Sequence, residues 1–444
     1  LKKTFGIILT IIMLCAVFPA RVRAASYDFS AYPEMGVLVR EVASGDAIIS
    51  NNASATYYPG SITKLMTIIT ALDYLSLEDS VTVTKAALAL VQPNSSLADL
   101  VEGEVLTVEQ LIYGAVIPSG NDAAIVIAIA AGRKILESES ASEAQAYAAF
   151  IDAMNAKAQQ LNMTASHFST ADGYDDYNNY STPEDLVILG VEALHHSIIL
   201  EAADESSYTV TTNKTTHTWQ STDYFLYQTF DTSVFTDISG ATVYYDARVY
   251  GLKSGYTDIG LRCFLFAAQD GEKSFVGVVL KVPVTDKTEI WRRTSAIINY
   301  AFDNYTVVDL VTDDNEQQKV AWLNPSFLMP AYMKLRMKYD ASACVENEIA
   351  GDIDMKIEPC EGVSTMDDDG RFKLVKDVEE GDTVAYAVFY SGSVEIKRVA
   401  LIAVSSYDMG DITDIILYVF LIAIIAGIVI SLRNVEKKRA KSVE

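Results

Sequence analysis

Three short strings in this chain carry side chains that could together drive acyl transfer. Ser61-Ile62-Thr63-Lys64 sets an alcohol and an amine three residues apart. On a helix those positions share a face, so the hydroxyl and the amine lie one turn from each other. A serine hydroxyl is a poor nucleophile until a base stands within hydrogen-bond reach. An ordinary ammonium cannot be that base, whereas a lysine that is buried or close to a second cation gives up its proton more readily. A helix start also offers backbone N–H groups to a developing oxyanion. Ser119-Gly120-Asn121 follows Pro118 and adds a hydroxyl able to pass a proton and an amide able to hold a peptide. Lys253-Ser254-Gly255 adds a second amine, a hydroxyl for a terminal carboxylate, and a glycine that lets a substrate backbone come close. Taken singly, each string also reads as common structure: a helix cap before a surface lysine, a turn, and a weakened edge strand.

The elements that must position these strings follow from periodicity. Val37–Val42 and Ala47–Ser50 flank Ser44-Gly45-Asp46 and read as a β-hairpin. A helix opens at Ser61 and runs to about Leu75, with Leu65, Ile68, Ile69 and Leu72 on one face. Thr107-x-x-Gln110 is a capping box that starts a helix to Val116, stopped by Pro118. Further helices are expected over Asp122–Lys134, over Ser142–Leu161, and from Thr182-Pro183-Glu184 to about His195. The pattern then alternates. Tyr208–Thr212, Tyr250–Thr257, Arg262–Gln269 and Ser274–Val282 read as strands, the last two joined at Asp270-Gly271, and Ile290–Phe302 returns to helix. This order predicts an α+β fold over residues 26–305, an antiparallel sheet flanked by helices with a helical subdomain, in which the first and last strands share one sheet. Residues 306–408 differ in texture. Trp322, Tyr332–Tyr339, Asp354–Ile357, Phe372–Val375, Val384–Tyr390 and Val394–Val404 are short strand candidates of a small β-rich C-terminal domain.

The two ends of the chain read as addresses. Lys2 and Lys3, the apolar run Phe5–Phe18, and Val22-x-Ala24 make residues 1–25 a secretory signal peptide. Cys15 follows bulky Leu14 and reads as an ordinary residue of that signal. Ile415–Leu432 is an uncharged apolar run, about 27 Å long as a helix, which predicts a transmembrane helix over 413–432. The tail 433–444 carries Arg433, Lys437, Lys438, Arg439 and Lys441, so it stays cytoplasmic and the rest lies outside the cell membrane. Composition bounds the chemistry further. The 444 residues include 59 acidic against 34 basic side chains, net −25, which disfavours nucleic acid as a partner. Half the residues are hydrophobic, enough for a real core. Four histidines without metal spacing and four cysteines argue against a metal cofactor or a disulfide scaffold. Cys344 and Cys360 could pair, leaving Cys263 alone, or all three could stay thiols.

Ser-x-x-Lys at a helix start, Ser-x-Asn in a loop and Lys-Ser/Thr-Gly on a strand, in this order, make the signature of the penicillin-recognising serine enzymes. The chain resembles the serine-type D-alanyl-D-alanine carboxypeptidases, the low-molecular-mass penicillin-binding proteins with a β-lactamase/transpeptidase-like fold. The likeness runs through Tyr58-Pro59-Gly60-Ser61 to Thr67, Ile117-Pro118-Ser119 to Ala124, Ser166-His167-Phe168 to Tyr174, Tyr180-Ser181-Thr182, and Gly251-Leu252-Lys253-Ser254-Gly255-Tyr256-Thr257. It covers roughly residues 30–305, and a β-rich second domain and a C-terminal anchor match the family layout. One position departs: the family has Lys-Thr-Gly where this chain has Ser254, which keeps the hydroxyl and loses a methyl.

The resemblance implies that Ser61, Lys64 and Ser119 are catalytic and that Asn121, Lys253, Ser254, Gly255 and Tyr256 bind substrate, with no cofactor. It implies removal of the terminal D-Ala from peptidoglycan stem peptides in cell-wall biogenesis, with β-lactams as covalent inhibitors. Alternatives are a D,D-endopeptidase or a β-lactamase using the same site, or a non-catalytic wall-binding protein. The β-lactamase alternative wants a Glu-x-x-Leu-Asn, and the nearest string, Ala158-Gln159-Gln160-Leu161-Asn162, begins with alanine. Arg248, Arg292 and Arg293 are candidates for the substrate carboxylate. His195 and His196 read as helix-end residues and His167 as structural.

Overall fold

A computed structural model describes residues 27–228, 244–284, 287–312, 315–323, 332–409 and 412–440. The expected signal peptide lies outside the described residues. Contacts divide the chain into two compact units, with the break between Tyr305 and Thr306.

In the first unit, apolar alternation builds a five-stranded antiparallel sheet. Its strand order is Ala47–Asn51, Gly36–Glu41, Lys273–Val282, Leu261–Asp270 and Val249–Thr257. The N-terminal hairpin therefore closes onto the last strand, with Leu38 opposite Val278, as the sequence predicts. Consecutive residues of a strand face opposite sides, and the Leu261–Asp270 strand is apolar on both. Leu265 faces helix Pro183–Ala193, which approaches closely at Gly190, and Phe264 packs its ring 4.9 Å from that of Trp291 on helix Glu289–Asn304. The sheet is thus covered on both faces.

The helices Thr63–Ala71, Val108–Val116, Asn121–Ile135 and Glu143–Gln160 make the helical part of the unit. Every residue of Thr63–Ala71 is buried, lysine included. Two capping boxes form: Thr107 with Gln110, and Ser142 with Gln145. Asn121–Ile135 and Glu143–Gln160 cross so tightly that a Cβ on Gly132 would lie 1.9 Å from the Ala146 carbonyl oxygen.

Three local expectations change. The Ser61 helix opens with a 3₁₀ turn, Gly60–Ile62, before its α-helical part. The helix expected to reach His195 stops at Ala193, and a separate helix, Ser197–Asp204, leaves it at 98°. The strand near Tyr208 has a partner, Thr216–Gln220, that alternation of hydrophobic residues did not reveal, because one of its inward residues is a histidine.

The second unit holds a five-stranded antiparallel sheet in the order Gln317–Ala321, Tyr332–Met337, Val394–Ala403, Thr383–Ser391 and Asp354–Pro359. Met333, Leu335, Ala387, Val399 and Leu401 fill its core. Ser342–Glu346 and Ser364–Met366 are further short strands that lie outside the expected ones. Among the described residues no disulfide forms: Cys344 is buried, and the Cys360 sulfur lies 3.8 Å from the Tyr386 hydroxyl. The C-terminal helix, Ile412–Ala440, contains an apolar stretch, Ile416–Arg433, long and apolar enough to cross a membrane. It extends past the expected 432 because the basic tail is itself made of good helix formers.

The crossing at Gly132 yields a direct test. Gly132→Ala should destabilise the protein by about 3 kcal/mol, the upper end of overpacking costs, because the obstacle is backbone. Gly351→Ala, with open space around its Cβ, should leave the thermal transition unchanged.

Candidate active site

Ser61 is placed by a turn that only a narrow set of residues could make. Gly60 has φ +56°, and a Cβ there would press on Thr257 Cγ2 at 3.3 Å and on the Tyr256 nitrogen at 3.5 Å. One turn on, Lys64 is fully buried. Its Nζ donates to Ser61 Oγ at 2.8 Å and to the Asp172 carbonyl oxygen at 2.7 Å. Burial pushes the Lys64 amine down to about 8, against the pull of the Asp172 and Asp122 carboxylates. The string that alone could be a helix cap and a surface lysine is therefore a hydroxyl against an interior amine.

Ser119 sits in the left-handed region at φ +62°, unusual for a residue with a Cβ. The next residue, Gly120, donates its N–H to the Gly114 carbonyl, and a Cβ there would lie 2.7 Å from that oxygen. Asn121 opens the following helix. Its backbone N–H donates to Ser96 and its side-chain amide to Ser95 Oγ at 3.0 Å. Asp122 accepts from the N–H groups of Ala98 and Leu100 at 2.8 and 3.0 Å, tying the Ser95–Ser96 loop down.

The third string lies on the strand Val249–Thr257. A Cβ on Gly255 would be 2.9 Å from the Pro59 carbonyl oxygen and 3.2 Å from the Ser61 nitrogen, so this strand rests directly on the Ser61 turn. Lys253 is buried, and its Nζ donates to the Ser254 carbonyl at 3.1 Å. Burial first and the neighbouring Lys64 charge second hold the Lys253 amine well below the ordinary lysine range. Ser254 Oγ pairs with Thr222 Oγ1 at 2.8 Å, and Tyr256 is half-exposed.

A cleft of about 670 Å³ joins Ser61, Ser119, Asn121, Ser254, Gly255 and Tyr256, while Lys64 and Lys253 lie beneath its floor. Long-range pairing brings in walls that the sequence did not announce. Thr222 and Tyr224 follow the unexpected hairpin strand, and Arg262 stands opposite Tyr256 across the strand pair, 5.5 Å from the ring. The three arginines expected near the carboxylate are elsewhere. Arg248 binds Asp246 at 2.6 Å and Asn299, and Arg292 and Arg293 both bind Glu289. Each found an acidic partner within four residues, a contact that sequence spacing does reveal. His195 and His196 share Glu192, and His167 Nδ1 meets the Asn178 carbonyl at 2.6 Å, so none of the three reaches the cleft. Ala158 is fully buried in the core. Among the described residues no group of three His, Cys, Asp or Glu could hold a metal.

Lys64 should be visible as an outlier. In ¹³C/¹⁵N-lysine spectra of the full chain in detergent, two lysines should titrate below the ordinary range, one of them near pH 8, and Lys64→Ala should remove the titration near pH 8. A spectrum with every lysine titrating near its ordinary value would place Lys64 in solvent.

Comparison with known proteins gives the chain a family. Residues 32–284 match the D-alanyl-D-alanine carboxypeptidase family, peptidase S11. A D-alanyl-D-alanine carboxypeptidase of Streptomyces sp. strain K15 is 32% identical over 271 residues, 58% of this chain and 83% of that protein. The D-alanyl-D-alanine carboxypeptidase DacC of Escherichia coli is 33% identical over 203 residues, 44% of this chain and 46% of its own length, so that match spans less than half of the relative. The crystal structure of the Streptomyces K15 DD-transpeptidase is 29% identical with a TM-score of 0.51, covering 60% of this chain and 96% of that one. Penicillin-binding protein 5 of Haemophilus influenzae, at 19% identity and a TM-score of 0.64, covers 85% of this chain and 97% of that one and shares the fold. With the family matched over more than half of this chain, the chain belongs to the D-alanyl-D-alanine carboxypeptidases of peptidase family S11 and is a serine-type peptidase.

Proposed function

We propose that the chain removes the terminal D-Ala from peptidoglycan stem peptides through an acyl-enzyme on Ser61, in cell-wall biogenesis. The observation that carries this reading is the interior amine of Lys64 on the Ser61 hydroxyl. Neutral Lys64 takes the Ser61 proton as Oγ attacks the carbonyl carbon of the penultimate D-Ala. The oxyanion forms where the N–H groups of Ser61 and Tyr256 converge, beside the contact at Gly60 and Gly255. The C–N bond then breaks as Ser119 gives its proton to the departing amine and is reprotonated by Lys64, which is thereby neutral again, and D-Ala leaves. Water attacks the ester, freeing the shortened peptide and returning the proton to Ser61. Asn121 holds the peptide amide, Lys253 supports Ser119 electrostatically, and Ser254 with Thr222 receives the terminal carboxylate. Arg262 is the arginine that lines the cleft, beside Lys287, and it draws this carboxylate in.

β-Lactams acylate the same serine because they imitate acyl-D-Ala-D-Ala. A β-lactamase reading lacks support, since the position that would hold a deacylating glutamate is alanine and faces the core. The helix Ile412–Ala440 anchors the protein in the cell membrane, with the catalytic unit outside.

Fluorescent penicillin should label the full chain, and Ser61→Ala should abolish the label. A synthetic pentapeptide ending in D-Ala-D-Ala should release D-Ala, at a rate that rises with pH toward about 8 as Lys64 loses its proton. Turnover confined to crosslinked dimers would instead make the enzyme an endopeptidase. Arg262→Ala should raise KM on the order of tenfold with kcat little changed, the value of one charge-assisted contact.

A further inference from the structure

Asp175 is a cleft-lining carboxylate that the reaction scheme leaves unused. Its two oxygens accept from two successive backbone N–H groups of a distant segment. Oδ2 takes the Asp258 N–H at 2.9 Å, and Oδ1 takes the Ile259 N–H at 3.3 Å. Those groups belong to the turn that follows the strand Val249–Thr257, directly after Tyr256 and Thr257. The carboxylate therefore ties the loop after Asp172 to the end of the strand that carries the third motif.

One end of this tie is firmly held. Thr67 Oγ1 donates to the Ala171 carbonyl at 2.6 Å, and the Ala171 N–H donates to the Tyr147 hydroxyl at 2.9 Å. The Asp172 carbonyl accepts from Lys64 Nζ at 2.7 Å, and a Cβ on Gly173 would lie 1.9 Å from the Gly60 carbonyl oxygen. The other end has less to hold it. Val249–Thr257 is the last strand of its sheet, paired with Leu261–Asp270 on one side, and its residues from Ser254 onward border the cleft. The chain then reverses in a short turn from Thr257 to its register partner Leu261, which sits at φ +57°, a costly conformation for leucine. The turn leans on the Ser61 side at Gly260, where a Cβ would lie 2.4 Å from the Tyr58 carbonyl oxygen. A strand end paired on one side and closed by a strained turn gains from a bond across the cleft that keeps its last N–H groups in place.

The reacting atoms are close to that strand end. The Tyr256 N–H is one of the two assigned to the oxyanion above. Its nitrogen lies 3.5 Å from where a Gly60 Cβ would stand, and Tyr256 precedes Asp258 by two residues. An oxyanion donor works only when aimed at the place the oxygen will occupy, and a misplacement of about 1 Å costs on the order of a hundredfold. We propose that Asp175 is a positioning residue that aims the Tyr256 N–H at the oxyanion by clamping the turn after it to the loop that anchors Lys64. The proposal deepens the acyl-transfer reading and rests on it for the atom that is served. One loop then sets base and oxyanion donor together: Asp172 holds the Lys64 amine, and Asp175 holds the strand that carries Tyr256. Asp175→Asn keeps the shape but leaves one acceptor oxygen, with an NH₂ set against the second N–H. Asp176 accepts from the Asn178 N–H of its own loop at 2.8 Å and makes a control of equal charge.

The test compares wild type, Asp175→Asn and Asp176→Asn as full chains in detergent, with the thermal transition measured in parallel. Each is acylated with penicillin carrying ¹³C at the β-lactam carbonyl, and the ester carbonyl stretch of the acyl-enzyme is read by infrared difference. Asp175→Asn should acylate on the order of tenfold more slowly, with the half-saturating penicillin concentration little changed. Its ester stretch should move to higher wavenumber, because a misaimed N–H polarises the carbonyl less. Asp176→Asn should match wild type in both. An ester stretch unmoved by Asp175→Asn, a loss confined to half-saturation, or equal effects from both variants would overturn the proposal. Asp175→Ala, which removes both acceptors, should give the same changes and decides the question where Asp175→Asn fails to fold. In the unliganded ¹⁵N-tyrosine-labelled chain, the Tyr256 amide resonance, assigned with Tyr256→Phe, should shift in the Asp175 variants and not in Asp176→Asn. A resonance that stays in place throughout would refute the clamp. Wild type that takes no penicillin label would strike the acyl-enzyme reading and leave this resonance to judge Asp175 alone.

Discussion

An amine forced into the interior while still touching a hydroxyl is the constraint on which the cleft depends. Lys64 is enclosed by its own helix, by the Asp172 backbone and by the strand that rests on the Ser61 turn. A fall of its amine from 10.5 to about 8 is worth roughly 3 kcal/mol against the charged form. That cost is what converts a common side chain into a base near neutral pH. The helix alone could not impose it, since an isolated turn leaves lysine in water.

The enclosure is built from backbone packed on backbone. Gly255 lies on the Pro59 and Ser61 main chain, and a Cβ on Gly173 would come within 1.9 Å of the Gly60 carbonyl. Glycines stand where the approach is closest, so the three strings can converge without side chains holding them apart. The converged loops are then pinned by polar groups that have no role at the reacting atoms. Asp122 ties down the Ser95–Ser96 loop, Asn179 donates to Thr63 Oγ1, and Trp219 Nε1 donates to the Ala98 carbonyl. The Thr216–Gln220 hairpin strand matters for the same reason. It carries Trp219 inward and leads directly to Thr222 at the cleft.

The membrane helix and the β-rich unit obey separate physics. Ile416–Arg433 exposes large apolar side chains along its length, which suits hydrocarbon and not water. The unit around Met333, Leu335 and Val399 has its own core. Neither contributes a described residue to the cleft.

Much of this was legible before any coordinates. Apolar alternation marked the central strands, capping chemistry marked the helix starts at Thr107 and Thr182, and three motifs in order marked the residues that line the cleft or lie beneath it. Those signals are local, since a strand pattern or a cap depends on neighbours a few residues away. What tertiary structure decided is which groups meet over distance. Ser61 and Gly255 touch across nearly two hundred residues, and Arg262, not Arg248, Arg292 or Arg293, borders the cleft, because strand register decides which side chain faces Tyr256. Burial of Lys64 and Lys253 belongs to the same class. Charge state follows from the solvent and charges that folding removes or brings near, and no spacing along the chain encodes that.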